Sequence, residues 1–287
     1  MNDADQEELY DRLERLAEYE TVSAFALAYY ELIADFLGGE GRGCQAMRLR
    51  LLEFLEIVER YHRALDIFAS EDQVTLGNVR SAAEKRDIAL KVLLEQLARD
   101  GTVGSAEIGR LLLCAECYYQ LGAVDRVVER LEAALEAGAD HPLVQFALGY
   151  NRYELATQAF TRYSPESGQR EIEDEDRFRL ACLSAVSALQ KGLSGEAFDG
   201  QIHWWIGNVL EAAGFGEAAR ASFDKATEIL GEAEVAGVGD AARPKAVFGE
   251  SEPATARAGR EPITEDEVRR VGMLLRRSYS ASDIMNG

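Results

Sequence analysis

The sequence predicts an all-α chain, on three observations. Only five prolines occur in 287 residues, long stretches are built from Ala, Leu, Glu, Arg and Gln, and apolar residues recur in alternating steps of three and four. Proline breaks helices, the other residues lose little rotamer freedom in them, and the three-four rhythm keeps one apolar seam on one side of a helix. A hydrophobic content of 47% suffices for a sizeable core. The length exceeds one average domain of ~100 to 200 residues, so more than one part is expected.

Residues 1–100 read as a bundle of helical hairpins, either a separate domain or degenerate early repeats. Leu9, Leu13 and Leu16 begin one seam, and Val22, Phe25, Tyr29, Leu32 and Phe36 form another before the Gly38-Gly39-Glu40-Gly41 break. Met47, Leu51, Phe54, Val58, Tyr61, Leu65 and Phe68 form the longest. After Ser70-Glu71-Asp72-Gln73, where Asp72 can cap a new helix, Leu76, Val79, Ala83, Leu90, Leu93 and Leu97 repeat the rhythm. A short polar turn between two such helices favours an antiparallel pair.

Charge narrows the function classes. There are 51 acidic against 31 basic residues, a net charge of -20, which repels phosphate backbones and anionic membrane surfaces. Nucleic acid is therefore not expected as a partner. Membrane insertion is not expected either, because no run reaches the ~18 to 20 apolar residues of a span. The start, Met1-Asn2-Asp3-Ala4-Asp5, has no basic n-region or apolar h-region, so a cytoplasmic protein is expected. Cys44, Cys114, Cys117 and Cys182 are too scattered to imply a disulfide framework.

Residues 101–232 are the most informative. Leu111, Cys114, Ala115 and Tyr118 are followed by Gly122 at a turn, then Val127, Leu131 and Ala134, closing with His141-Pro142. A second copy has Ile206-Gly207, Leu210, Gly214, Ala219, Phe223 and Ala226. Between them lies an interrupted copy, with Leu148-Gly149 opening its first helix and Ala181, Ala185 and Ala188 in its second. Small residues let paired helices approach, and larger ones fill the space between pairs. This pattern resembles the tetratricopeptide repeat over about residues 105–232, under half the chain. The resemblance implies an α-α superhelix of helical hairpins following the N-terminal bundle. The inserted residues near 161–177 contain Ser164-Pro165-Glu166-Ser167-Gly168 and an acidic run from Glu171 to Asp176, and are expected to form an exposed, mobile loop.

In that family a concave groove lined by the first helix of each pair receives a peptide or helix from another protein. Transferred to this chain, the groove positions are Leu112, Glu116, Tyr119 and Gln120, then Phe146, Tyr150, Tyr153 and Glu154, and finally Trp204, Asn208 and Glu211. Family members that clamp a C-terminal carboxylate use Lys, Arg and Asn there, and only Asn208 fits. Aromatics beside carboxylates suit an Arg- or Lys-bearing segment, through cation-π contacts and charge-assisted hydrogen bonds. Packing between neighbouring helices is the other use of these aromatics.

Other motifs carry no catalytic or metal reading. Cys114 and Cys117 have metal-pair spacing but no second pair, and Glu59-x-x-His62 has no second copy to complete a di-iron site. His203 in His203-Trp204-Trp205 has no Ser, Cys or Asp motif to partner it. The reading is therefore a non-enzymatic, cofactor-free interaction scaffold, adaptor or assembly chaperone. The alternative is a regulatory or enzymatic helical bundle with a site in the first hundred residues.

Residues 233–262 are rich in Gly, Ala, Pro and charge and read as a disordered linker. A helix signal returns over 263–287, with a capping box Thr264-Glu265-Asp266-Glu267 and a staple between Ile263 and Val268. Val268, Val271, Leu275 and Tyr279 form an apolar stripe beside Arg269, Arg270, Arg276 and Arg277. Such a segment is expected to dock either on this chain's own acidic groove or on a partner.

Overall fold

The computed structural model describes residues 3–19, 22–70, 76–164, 169–194 and 198–231. Asp72, the linker 233–262 and the helix expected over 263–287 lie outside them. Ten helices and one two-stranded sheet make up the described residues, and the fold is all-α as expected. No helix among them is long and apolar enough to cross a membrane. The chain divides into two compact units, Met1–Leu143 and Val144–Gly287.

The first unit holds α1 (Asp3–Ala17), α2 (Ala24–Phe36), α3 (Arg42–Ser70), α4 (Leu76–Arg99), α5 (Ser105–Gln120) and α6 (Val124–Glu136). The seams become its core: Leu16, Met47, Leu51, Phe54, Leu90, Leu93 and Leu97 have no exposed surface. Arg50 pairs with Asp100 (3.0 Å), and the Arg86 guanidinium lies 4.4 Å from the Tyr61 ring centre, so α3 and α4 run antiparallel. Helix α2 starts where Ser23 Oγ accepts from the Ala26 amide (3.2 Å), a side-chain cap. Its far end is closed by the buried Arg48, which donates to the Leu37 and Gly39 carbonyls (2.7 Å each). The turn 100–104 lies inside this unit, because α5 packs against α2, α3 and α4.

Tyr30, Ile33 and Leu37 are buried although the three-four seam of α2 omits them. Helix α2 meets α1 and α5, and Tyr30 packs edge-on against Phe54 of α3 (5.6 Å), so its buried arc is wider than one seam. Leu37 lies against Gly109, where an added Cβ would stand 2.4 Å away.

The second unit holds α7 (Pro142–Phe160), β1 (Thr161–Ser164), β2 (Gln169–Ile172), α8 (Glu175–Lys191), α9 (Asp199–Ala212) and α10 (Gly216–Leu230). The stretch expected to be a mobile loop differs: β1 and β2 pair antiparallel, from Thr161 opposite Ile172 to Ser164 opposite Gln169. The acidic run is largely exposed, as expected, but it is not all loop: Glu171 and Ile172 belong to β2 and its second half opens α8. Asp174 Oδ1 accepts from the Arg177 amide (3.1 Å), and Glu175 and Asp176 occupy the first turn of α8. Negative side chains are favoured at a helix N-terminus, so the run starts a helix.

Small residues mark the close approaches within the second unit. A Cβ on Gly149 would stand 2.6 Å from the Leu189 side chain, and one on Gly207 2.5 Å from the Phe223 ring. Gly200 opposes Leu230 and Gly207 opposes Phe223, so α9 and α10 run antiparallel. The α9–α10 turn and the α5–α6 turn of the first unit close alike. Gly214 (φ +83°) and Gly122 (φ +71°) take left-handed backbone, and the next amide bonds back to the helix, Phe215 to the Leu210 carbonyl (2.8 Å) and Ala123 to Tyr118 (3.0 Å).

Candidate functional site

Helix α5 places Glu116, Tyr119 and Gln120 at i, i+3 and i+4, on one face. Glu116 sits at the edge of the core, where α5 meets α2. The Tyr30 hydroxyl donates to its Oε1 (3.1 Å), and Gln120 Nε2 donates to the same oxygen (3.2 Å). Oε2 carries no hydrogen bond among the described residues. Nor does any Lys, Arg or His among them pair with this carboxylate.

Burial pushes the Glu116 carboxyl above the usual carboxylate range, partly offset by the Gln120 and Tyr30 hydrogen bonds. Burial and the nearby Glu116 charge push the Tyr29 and Tyr30 phenols well up, so both stay neutral at neutral pH. Tyr119 is 44% exposed, unusually open for a large ring. Leu112, at the other end of the predicted set on α5, has no exposed surface and belongs to the core.

In the second unit the predicted positions divide similarly. Phe146, Tyr153 and Trp204 are buried. Tyr150, Glu154 and Asn208 are half-buried, and Glu211 is exposed. The Tyr150 ring meets Trp205 edge-on (4.8 Å), and Trp204 meets Trp205 in the same way (5.2 Å). Trp205 thus packs α9 against α7, and Trp204 is buried beside it on α9. Asn208 Nδ2 donates to the Trp204 carbonyl (2.8 Å), which engages its amide within its own helix. Phe146, Tyr150, Tyr153 and Glu154 repeat on α7 the i, i+4, i+7, i+8 register of Leu112, Glu116, Tyr119 and Gln120 on α5. The tail positions Val268, Arg269, Arg270, Val271, Leu275, Arg276, Arg277 and Tyr279 lie outside the described residues.

The other motif residues have structural settings. Glu59 is buried and ion-pairs with Arg12 (3.3 Å), Arg15 (3.7 Å) and Arg63, joining α1 to α3. His62 stacks on Tyr19 (6.0 Å), and burial together with Arg86 pushes its imidazole down. Burial holds the Cys114 thiol up at about 11 and Cys117 well above the ordinary thiol value, which keeps both protonated and weakly nucleophilic at neutral pH.

Sequence reasoning missed Tyr29 and Tyr30 as the setting of Glu116. Tyr29 stands in the α2 seam, a signal of burial, but nothing local pairs it with a helix some eighty residues on. Comparison of the chain with protein-family models, with curated proteins and with solved structures returns no match.

Proposed function

We propose that this chain is a protein-binding scaffold, adaptor or assembly chaperone of tetratricopeptide-like helical pairs. It takes Arg- or Lys-bearing peptides or helices of other proteins against aromatic and acidic positions, one set on α5 of the first unit and another on α7 and α9 of the second. The observation that carries this reading is the repeated pair design. Two pairs, α5–α6 and α9–α10, are closed by the same glycine turn at Gly122 and Gly214, and Gly207 meets Phe223 where the repeat pattern puts a small residue against a large one. Tyr119, Glu116 and Glu211 then offer an exposed ring and carboxylates of the kind a cationic segment recognises.

The test is capture from extracts of the source cell by the full chain and by a Tyr119→Ala, Glu211→Arg double variant, both positions being exposed enough to change without opening the core. The wild type should retain a protein that the variant loses and that ~0.5 M salt releases, since exposed ion pairs are screened within ~8 to 10 Å. Equal retention by the variant, with circular dichroism unchanged, refutes the reading. A thermal midpoint raised by a nucleotide or a metal ion would instead support a regulatory or enzymatic bundle.

A further inference from the structure

Helix α4 carries two seams. One, with Leu90, Leu93 and Leu97, is spent on the core of its unit. The other faces outward. Ser81, Lys85, Ile88, Val92, Glu95 and Arg99 follow the same alternating steps of four and three, and all six are exposed, Ile88 by 65% and Val92 by 49%. Single exposed aliphatic residues are ordinary on a protein surface. Two of them one turn apart, with a charge next along the seam on either side, have the make-up of a short coiled-coil contact.

This outer seam is its own complement. A two-fold axis at the level of Leu90 sets a second, identical helix antiparallel to the first, with residues equally distant from 90 opposite each other. Ile88 then faces Val92 of the second copy, Lys85 faces its Glu95, and Ser81 its Arg99, each twice by symmetry. The apolar layers lie at the centre, and a pair of opposite charges closes them at each end. Glu84 and Lys91, exposed along one flank of the seam, are of opposite sign as well. In a parallel pairing Lys85 would meet Lys85 and Glu95 would meet Glu95, so charge selects the antiparallel one.

These charges are not spent within the unit. Lys85 and Lys91 have no ion pair among the described residues. Glu95 meets Arg99 (3.4 Å) and Glu84 meets Arg80 (3.3 Å), both exposed pairs of the kind that contributes little. The chain as a whole carries -20, yet α4 has five basic against three acidic side chains, so this face offsets part of the repulsion between copies.

We infer that two copies of this chain associate through α4, antiparallel about Leu90, in a small contact of the weak, transient class below ~1,200 Å². The inference does not rest on the proposed function, because none of these positions belongs to the sets on α5, α7 and α9.

Sedimentation velocity on the full chain tests it. Between ~5 µM and ~0.5 mM the weight-average mass should rise toward twice the monomer, with a midpoint near ~0.1 mM. Lys85→Glu or Glu95→Lys alone sets like charges opposite each other twice and should weaken association at least ~ten-fold. The double variant restores opposite pairs and should regain most of it. Within one helix these positions stand ~15 Å apart, too far to pair, so the rescue needs a second copy. Ile88→Gln should weaken association as well. All these positions are exposed, and an unchanged thermal midpoint by circular dichroism marks the fold as intact. A monomer at every concentration overturns the inference and leaves the face to another protein or to the undescribed residues. Association that the single swaps leave unchanged overturns it too, as does loss in the single variants without recovery in the double.

Discussion

Two carboxylates of the first unit, Glu59 and Glu116, are held in opposite ways. Glu59 joins α1 to α3 and meets three guanidiniums. Glu116 joins α5 to α2 and meets a phenol and an amide. An enclosed anion surrounded by cations is finished, and removing it strands them. One surrounded by neutral donors keeps its charge unspent. The contrast separates a charge met by counter-charges from one met by neutral donors alone.

The largest expected effect comes from breaking the finished cluster. Glu59→Ala removes an acid shared by Arg12, Arg15 and Arg63; Arg12 keeps Glu8 (3.0 Å), but its Nε already lacks a partner among the described residues. A loss of about 3 kcal/mol is expected, the low end for a broken buried pair because Arg15 and Arg63 retain water. Urea denaturation checks it, and a change below ~1 kcal/mol would place Glu59 among ordinary surface acids. Next comes Tyr30→Phe, which removes one of two donors to Glu116 and should cost about 1 to 2 kcal/mol by the same measurement. The loss should shrink in the Glu116→Gln background, where no charge remains to be stabilised; equal losses in both backgrounds would show that Tyr30 acts through packing alone.

The smallest effect, and the sharpest for the comparison, is Glu116→Gln itself. At neutral pH it should leave stability within ~0.5 kcal/mol of wild type or raise it, because it removes an uncompensated charge while keeping an acceptor for Tyr30. Its pH dependence has a definite sign. Burial raises the Glu116 carboxyl in the fold, so the native state holds that proton more tightly than the unfolded chain does. Wild type therefore has its full advantage below the ordinary carboxylate value and loses it as pH rises through the raised one. The groups facing Glu116 are Tyr29 and Tyr30 from α2 and Cys117, Tyr119 and Gln120 on α5, while Glu53 of α3 acts on the neighbouring Cys117. None of these is a cation that could reverse the sign. The midpoint difference, variant minus wild type, should grow as pH rises above the ordinary carboxylate range and level off once pH passes the raised value. A difference flat with pH would mean that Glu116 keeps an ordinary carboxyl.

A fourth prediction concerns packing in the second unit. Gly149→Ala brings a Cβ to 2.8 Å of the Leu189 backbone nitrogen as well as its side chain, whereas Gly207→Ala meets only the Phe223 ring. Both should destabilise by about 1 to 3 kcal/mol, the first more, since a ring can turn aside and a helix backbone cannot. Thermal denaturation of the two variants checks the order.

Periodicity and composition alone determined the all-α class, the seams of α1 to α4 and the glycines at the α5–α6 and α9–α10 turns. Each is a local property, set by which side of one helix is apolar or where left-handed backbone is needed. The wider burial of α2 and the β1–β2 hairpin were not legible. Ile33 and Leu37 look like off-seam residues until α5 is set against α2, and the acidic run around Asp174 reads as loop until it is seen to start α8. The same limit divides the candidate site: Glu116, Tyr119 and Gln120, and the positions in the same register on α7, were named only through the resemblance to the tetratricopeptide repeat. Only the tertiary structure decided that Leu112 and Trp204 are spent on packing, that Glu59 takes three arginines, and that Tyr30 holds Glu116 by one oxygen. Such pairings depend on contacts between residues far apart in the chain, and these form only when helices pack.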